Sequence, residues 1–422
     1  MKLFQKTLYF LLASIIVVLS SPSITFAAEG EIGDAFLSSE TFVTGNIEWI
    51  DITQITNNNY LVTYTDGSNN GIMKTFSISS DGNTITELDS HTFNAAATRR
   101  PDALRIPNTN YYVLVYENSL QGVMETYLIG TDGDIDDSGY TDTWTFDSGL
   151  GRDAQLVYVG NDFFALAYCQ PLQSGKVGSI SVTTSGDIND SGFTDTLVFS
   201  PGTSSCSSIN LLETAPNYFA ISYKGSVGAG MVATISVDNS GQVSDNVIDS
   251  LNYASSIYSG EDIVNIEGDY YAIAYYSGAG RMVSLEIDST GDIINDAIID
   301  SFVFDTPGGQ TTTTLINTSG RYFVVGYNSK LRSFLFGANG DLPADENSRI
   351  DEFIYTGSNP ELITRSGDIF AMAYNGSGIL STLYVEEQIA VPEYKTYIYI
   401  LTIFALVGIG FRFSKKAKIV SQ

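Results

Sequence analysis

The sequence predicts an all-β fold, a seven-bladed β-propeller of four-stranded antiparallel blades, and three observations carry that prediction. A short aromatic strand ending in Tyr recurs at Tyr64, Tyr116, Tyr168, Tyr223, Tyr275, Tyr327 and Tyr374. The step of about fifty residues is that of propeller blades. A second aromatic precedes each of these: Tyr60, Tyr112, Phe164, Phe219, Tyr271, Phe323 and Phe370. An acidic residue followed by Phe or Tyr keeps the same step, as Asp89/Phe93, Asp142/Phe146, Asp195/Phe199, Asp249/Tyr253, Asp300/Phe304 and Asp351/Tyr355. The third observation concerns the ends. The last unit lacks its Asp-led strand, and the segment from Ala35 to Phe42 supplies the missing aromatic. A strand borrowed from the N-terminal end completes blade seven and removes an open sheet edge. An open solenoid of the same units is the alternative architecture.

Each unit holds four strand candidates, read from period-two alternation bounded by Gly, Asn, Asp and Ser. The innermost is a run such as Asp51 to Ile55 or Asp262 to Ile266, and the Tyr-marked strand is second. Lys74 to Ile78 and Met282 to Ile287 exemplify the third, and the Asp-led strand is outermost. One four-stranded sheet cannot bury both of its faces alone. The Phe, Tyr and Ile positions are therefore expected to pack sheet on sheet around a ring.

The chain outside the repeats reads as targeting and anchoring sequence. Residues 1–27 have the layout of a secretory signal peptide: Lys2 and Lys6, an apolar stretch from Leu8 to Leu19, then Thr25-Phe26-Ala27. A retained N-terminal membrane anchor is the other reading. The propeller is expected over residues 32–387, followed by a linker over 388–396. A transmembrane segment over 397–411 leads to a basic tail over 412–422. Arg412, Lys415, Lys416 and Lys418 should hold that tail on the cytoplasmic side. The propeller is thus expected outside the cytoplasm, exported and held at the cell surface through its C-terminal segment.

The formal net charge is −28. Such a surface repels nucleic acid and anionic lipid and attracts cations, which removes nucleic acid from the list of partners.

One pattern of oxygen ligands appears twice between the third and fourth strands. The copies are Asp134-Ile-Asp136-Asp-Ser138-Gly139-Tyr-Thr-Asp142 and Asp187-Ile-Asn189-Asp-Ser191-Gly192-Phe-Thr-Asp195. Oxygen side chains at alternate positions, a Gly for the sharp turn and a closing carboxylate suit a hard cation. The pattern resembles the calcium loops of integrin-α-type (FG-GAP) propellers, with Ser in place of the third Asp. That resemblance implies Asp134, Asp136, Ser138 and Asp142, and Asp187, Asn189, Ser191 and Asp195, as calcium ligands. A plain Asp/Gly/Ser turn is the alternative. The equivalent loops from Gly241 to Asp249 and from Asp292 to Asp300 lack the Gly but keep the closing Asp. That Asp should therefore have a structural role in every blade.

A second set stands at the start of the innermost strands: Asp51, Asp102, Asp153, Asp262 and Glu361, with Arg99, Arg100 and Arg152 close by. Together they are a candidate ligand or cation funnel at one mouth of the channel. Alternatively each Asp ties down its own blade-to-blade connection. Catalysis by Ser-His-Asp or Cys-His arrangements has little support, because the chain holds 1 His and 2 Cys. A pair of carboxylates could still run glycoside hydrolysis. Cys169 and Cys206 follow and precede strands that should emerge on one face, so a disulfide and two free thiols are both open.

The C-terminal stretch Val391-Pro392-Glu393-Tyr394, its apolar span and its basic tail resemble the exosortase/PEP-CTERM class of surface proteins. In that class the tail begins Val-Pro-Glu-Pro, and Tyr394 here replaces the second Pro. The resemblance implies a sorting transpeptidase that cuts near Val391 to Tyr394; without it the segment is a membrane anchor. The Ile-Asp-Ser-x-x-Phe phrase, at Ile248 to Tyr253 with Tyr for Phe and at Ile299 to Phe304, is similar to propeller repeats of uncharacterised prokaryotic surface proteins. The function expected on these grounds is a non-enzymatic binding, adhesion or scaffold module with a polysaccharide or surface protein as partner. The alternative is a carbohydrate-active enzyme using carboxylates at the channel mouth. An enzyme should gather its acids in one cleft, whereas a scaffold should repeat them without a focus.

Overall fold

The two repeating aromatics are partners in space. In the computed structural model, which describes residues 30–170, 174–200, 206–306, 313–365 and 368–386, every outer-strand aromatic packs on the marker Tyr of the next blade. The pairs are Phe93–Tyr116, Phe146–Tyr168, Phe199–Tyr223, Tyr253–Tyr275, Phe304–Tyr327, Tyr355–Tyr374 and Phe42–Tyr64. Their ring centroids lie 4.9 to 5.3 Å apart. Such tilted and edge-on geometries add to what burial alone contributes. The ring needs room, and a glycine opening the third strand provides it. A Cβ on Gly175 would meet the Phe199 ring at 2.3 Å, and one on Gly280 would meet the Phe304 ring at 2.3 Å.

The strands form seven four-stranded antiparallel sheets, each in simple up-and-down order. Blade one runs through Ile47–Gln54, Asn59–Asp66, Gly71–Ile78 and Ile85–Asn94. Its second strand has the burial of a central strand: Tyr60, Val62 and Tyr64 face one neighbouring blade, and Leu61 faces the other. The buried apolar residues fall into clusters that each span two adjacent blades. Phe219 and Ala165 share one such cluster across blades three and four, and Tyr60 and Ala371 share another across blades one and seven. The core therefore lies between sheets, as the ring architecture requires.

Blade seven is closed by the N-terminal strand. Ser38–Thr41 pairs antiparallel with Ile379–Tyr384, with Ser38 opposite Thr382 and Thr41 opposite Ile379. The pairing continues outward through the bridge Ile32↔Val385 and the bond from Gly30 N to Glu386 O at 2.8 Å. Among the described residues no helix is long and apolar enough to cross a membrane. Residues 1–27 and 388–422, to which export, sorting and anchoring were assigned, lie outside the described residues.

Polar staples join the blades near the rim. The outer-strand Asp of each of blades one to six gives one carboxylate oxygen to an amide of the following blade. Asp89 accepts from Ile135 N at 2.8 Å, Asp142 from Ile188 N at 2.8 Å and Asp195 from Val243 N at 3.0 Å. Asp249 accepts from Ile293 N at 2.8 Å, Asp300 from Leu342 N at 3.0 Å and Asp351 from Ile32 N at 3.0 Å. The other oxygen accepts from the amide of the next residue, as Asp142 Oδ1 does from Thr143 N at 2.8 Å. A third-strand hydroxyl adds a parallel link: Thr75 donates to Gly133 O at 2.5 Å and Thr126 to Gly186 O at 2.6 Å.

Candidate functional site

All seven inner strands meet around one cavity of about 500 Å³, at one mouth of the channel. A shared irregularity shapes it. The ladder between the first and second strands is broken by a bulge between Glu48 and Asp51, Arg99 and Asp102, Arg152 and Gln155, Ser207 and Asn210, Ser259 and Asp262, and Ser358 and Glu361. The bulged residues Trp49, Arg100, Asp153, Ser208 and Asn359 have φ of 46°, 50°, 57°, 53° and 48°. Non-glycine residues pay about 1 to 3 kcal/mol each for such backbone, and bulges of this kind re-aim side chains. Here they turn the strand so that the residue after the bulge faces the cavity.

That position is occupied by Asp51, Asp102, Gln155, Asn210, Asp262 and Glu361; blade six shows no such bulge among the described residues, and Thr314 stands at the equivalent register. Two corrections to the sequence reading follow. The strands begin before these acids, so the acids sit within the strand just past the bulge and not at its start. Asp153 lines the cavity but does not hold the ring position. It is the bulged residue itself, and Gln155 takes the ring position of blade three.

The ring acids also join blades. Asp51 Oδ2 accepts from Ala103 N at 3.0 Å, Asp102 Oδ2 from Leu156 N at 2.8 Å and Asp262 Oδ2 from Leu315 N at 2.6 Å. The tying role and the funnel are thus two uses of the same carboxyl groups. Asp262 also accepts from Asn210 Nδ2 at 2.9 Å. Asp153 Oδ2 takes Ser208 N at 2.9 Å.

Enclosure sets the electrostatics. Removal from water raises Asp51 to about 6 and Asp262 to about 7, with their amide bonds opposing the rise. Asp102 is held well above the carboxylate range by burial and by the charge of Asp51. Glu361 is also held well above it, by burial and by the charges of Asp262, Asp51 and Asp102. The acids therefore feel one another across the mouth.

The arginines divide. Arg100 lines the cavity and forms an ion pair with Asp153, and burial lowers its guanidinium to about 10. Arg99 stacks over the Trp49 ring at 5.6 Å, and Arg152 donates to Cys206 O at 3.0 Å. Neither of those two is among the cavity-lining residues. Cys206 is joined to Cys169 by a disulfide that ties blade four to blade three, with Cα atoms 5.6 Å apart.

The sequence reading missed Glu261. It lines the cavity, is 7% exposed, and neither carboxyl oxygen has a hydrogen-bond partner among the described residues. Burial pushes it well above the usual carboxylate range. A signal was available: the same position in the other blades holds Ile50, Pro101, Ala154, Ile209, Thr313 and Pro360.

The Asp134 and Asp187 loops lie away from this cavity. Asp142 and Asp195 spend both carboxylate oxygens on main-chain amides, one in their own strand and one in the next blade. Asp136 Oδ1 accepts Ser138 N at 2.9 Å, and Asn189 Oδ1 accepts Ser191 Oγ at 2.6 Å. Among the described residues no three acidic, His or Cys side chains gather in metal-holding geometry.

No protein-family model matches the chain, and none of the curated proteins does. Solved propellers do share its fold. A periplasmic gluconolactonase from Pseudomonas aeruginosa superposes with a TM-score of 0.51 and 13% identity, over 81% of this chain and 96% of its own. A candidate 6-phosphogluconolactonase from Bacteroides fragilis gives 0.51 and 14%, over 70% of this chain and 83% of its own. A protein from Lactobacillus plantarum gives 0.52 and 18%, over 78% and 96%. At these identities the likeness is one of fold.

The expectation of a non-enzymatic adhesion module, with a polysaccharide-active enzyme as its alternative, is corrected by these findings. The acids converge on one half-open cavity, where a scaffold would repeat them without a focus. Propellers of the same fold include proteins named as lactonases.

Proposed function

We propose that the central cavity is an acid–base site for a small polar molecule, and that a cyclic ester is its first candidate substrate. One observation supports this above the rest. Glu361, Asp51 and Asp102 occupy consecutive ring positions on blades seven, one and two, and their environments push their proton affinities apart around neutral pH. Neighbouring acids separated in this way take opposite roles. Asp51, near 6, is ionised at neutral pH and serves as general base. Burial and the neighbouring charges favour the protonated forms of Asp102 and Glu361, which serve as donors.

In ester opening, Asp51 takes a proton from water as its oxygen bonds the carbonyl carbon. Arg100, a cation among the described lining residues and ion-paired with Asp153, offsets the charge that develops on the carbonyl oxygen. When the ring C–O bond breaks, the leaving oxygen takes a proton from Asp102 or Glu361. The volume of about 500 Å³ falls within the range of small-molecule sites. Gluconolactone is the natural first probe, because propellers of this fold carry that name.

The test is acid release from gluconolactone and plain aliphatic lactones, followed at slightly acid pH where spontaneous opening is slow. Wild-type protein should exceed the buffer rate, and Asp51→Asn should lower kcat by about a hundredfold or more. Release at the buffer rate for every lactone, or an unchanged Asp51→Asn variant, sinks the reading.

The remaining assignments are proposals from sequence. The chain is exported through residues 1–27, and its 397–411 segment holds it at a membrane or is exchanged by a sorting transpeptidase at Val391 to Tyr394. The Cys169–Cys206 bridge supports an oxidising compartment. Calcium at the Asp134 and Asp187 loops would be held through Asp134, Asp136 and Ser138, and through Asp187, Asn189 and Ser191, since the closing Asp142 and Asp195 are bound to amides.

A further inference from the structure

The mouth ring is divided into two arcs. Acids hold blades five, seven, one and two, with Thr314 between them on blade six. Blades three and four carry amides side by side, Gln155 and Asn210. The acids have work inside the fold: Asp51, Asp102 and Asp262 each hold a main-chain amide of another blade. The Gln155 side chain makes no hydrogen bond among the described residues. The junction of blades three and four is held instead by Asp153, which accepts from Ser208 N at 2.9 Å, and by the Cys169–Cys206 disulfide. Gln155 lines the cavity half-buried, and its amide atoms are not closed off from solvent. Asn210 spends one N–H on Asp262 and keeps its oxygen and second N–H for another partner. Free donors and acceptors thus stand together on one side of the mouth.

We propose that the cavity selects an uncharged ligand rich in hydroxyl groups, and that Gln155 and Asn210 are the residues that read those hydroxyls. A primary amide offers a donor and an acceptor together, and a hydroxyl group pairs with both. Anions are refused. Arg100, the cation among the described lining residues, is already paired with Asp153, and Asp51 is charged at neutral pH. A carboxylate or phosphate would enter a mouth of its own sign with no free cation to offset it, and repulsion of this kind discriminates between ligands. An apolar ligand would cover the two amides and leave them unpaired, the mismatch that a polar site rejects most strongly. The two arcs also orient what binds: hydroxyls lie toward blades three and four, and the opposite end meets the acids. The inference rests on the cavity as the working site and not on ester opening as its reaction.

The experiment measures the binding of glucitol, gluconate and 1,6-hexanediol to the purified protein by calorimetry at neutral pH. The three have equal chain length; gluconate adds a carboxylate to the polyol, and hexanediol lacks the inner hydroxyls. Glucitol should bind about tenfold more tightly than either of the others. Gln155→Met keeps the length of the side chain and removes its amide, and should weaken glucitol by about threefold to tenfold, as for one neutral hydrogen bond. Because the Gln155 side chain ties nothing within the protein, the melting temperature should not move, which separates reading a ligand from holding a blade. Should that variant fail to fold, Asn210→Leu takes its place with the same expectation for affinity. Equal binding of the three probes, no binding of glucitol, or unaltered glucitol affinity in the variant overturns the inference. Glucitol binding by a protein that opens no lactone would retire the proposed reaction and leave this inference standing.

Discussion

Two rings of acids hold this propeller together, and they differ in how faithfully they repeat. The rim ring is uniform over blades one to six: each outer-strand Asp takes one amide in its own strand and one in the next blade. The mouth ring makes the same kind of interblade bond but breaks its own pattern, with Gln155, Asn210 and Thr314 among the acids. A purely structural device has the same work in every blade, so it stays the same. A site that grips an asymmetric molecule must differ from blade to blade. Departure from the repeat thus sets the mouth apart from the rim, at Gln155 and Asn210 above all.

The largest effect is expected at the interblade aromatic pairs. Phe304→Ala removes a fully buried ring from the contact with Tyr327 and should cost about 3 to 5 kcal/mol in urea unfolding. If it cost no more than a mouth-ring substitution, the uniform rim would not be what holds the blades.

A paired substitution sharpens the comparison. Asp249→Ala leaves the amide of Ile293 without its acceptor and should cost about 1 to 3 kcal/mol. Asp262→Asn keeps an oxygen for Leu315 N and removes a charge that burial disfavours, so it should be neutral or stabilising at neutral pH. The pH dependence follows from the same group. Asp262 is raised from 3.8 to about 7, so the folded state holds its proton more tightly than the unfolded chain does. Its contribution to stability is complete at pH values below the unfolded pKa and is lost as pH rises through about 7. The melting temperature of the wild type should fall across that window, and the fall should be shallower in Asp262→Asn.

The smallest effect belongs to calcium. With Asp142 and Asp195 committed to amides, calcium should raise the melting temperature only slightly, through the first three ligand positions of each loop. The double variant Asp134→Ala, Asp187→Ala should abolish that response. A large shift would mean that the closing carboxylates leave their amides for the ion, and the rim would no longer be purely structural.

The rim was legible in the sequence because one physical contact fixes both of its markers. The outer aromatic and the marker Tyr keep step along the chain because they touch across every blade interface. The mouth was only half legible. Its bulged residues, Trp49, Arg100, Asp153, Ser208 and Asn359, share a backbone conformation and no chemistry, so no side-chain pattern announces them. An acid placed by its distance from the Tyr marker can then fall two residues out of register, as Asp153 does. Glu261 was visible only by comparison of equivalent positions, as the one acid where the other blades are apolar, proline or threonine.

The closure of blade seven has a mechanical consequence. The two ends of the propeller leave the same blade side by side, at the bridge Ile32↔Val385. Because the strands run antiparallel, a pull between residue 30 and residue 386 loads their bonds one after another, beginning with Gly30 to Glu386. The seam unzips under tension and does not shear, so it yields at low force, before the load passes to the rest of the ring. A chain tethered at one end and tugged at the other would open at that blade first.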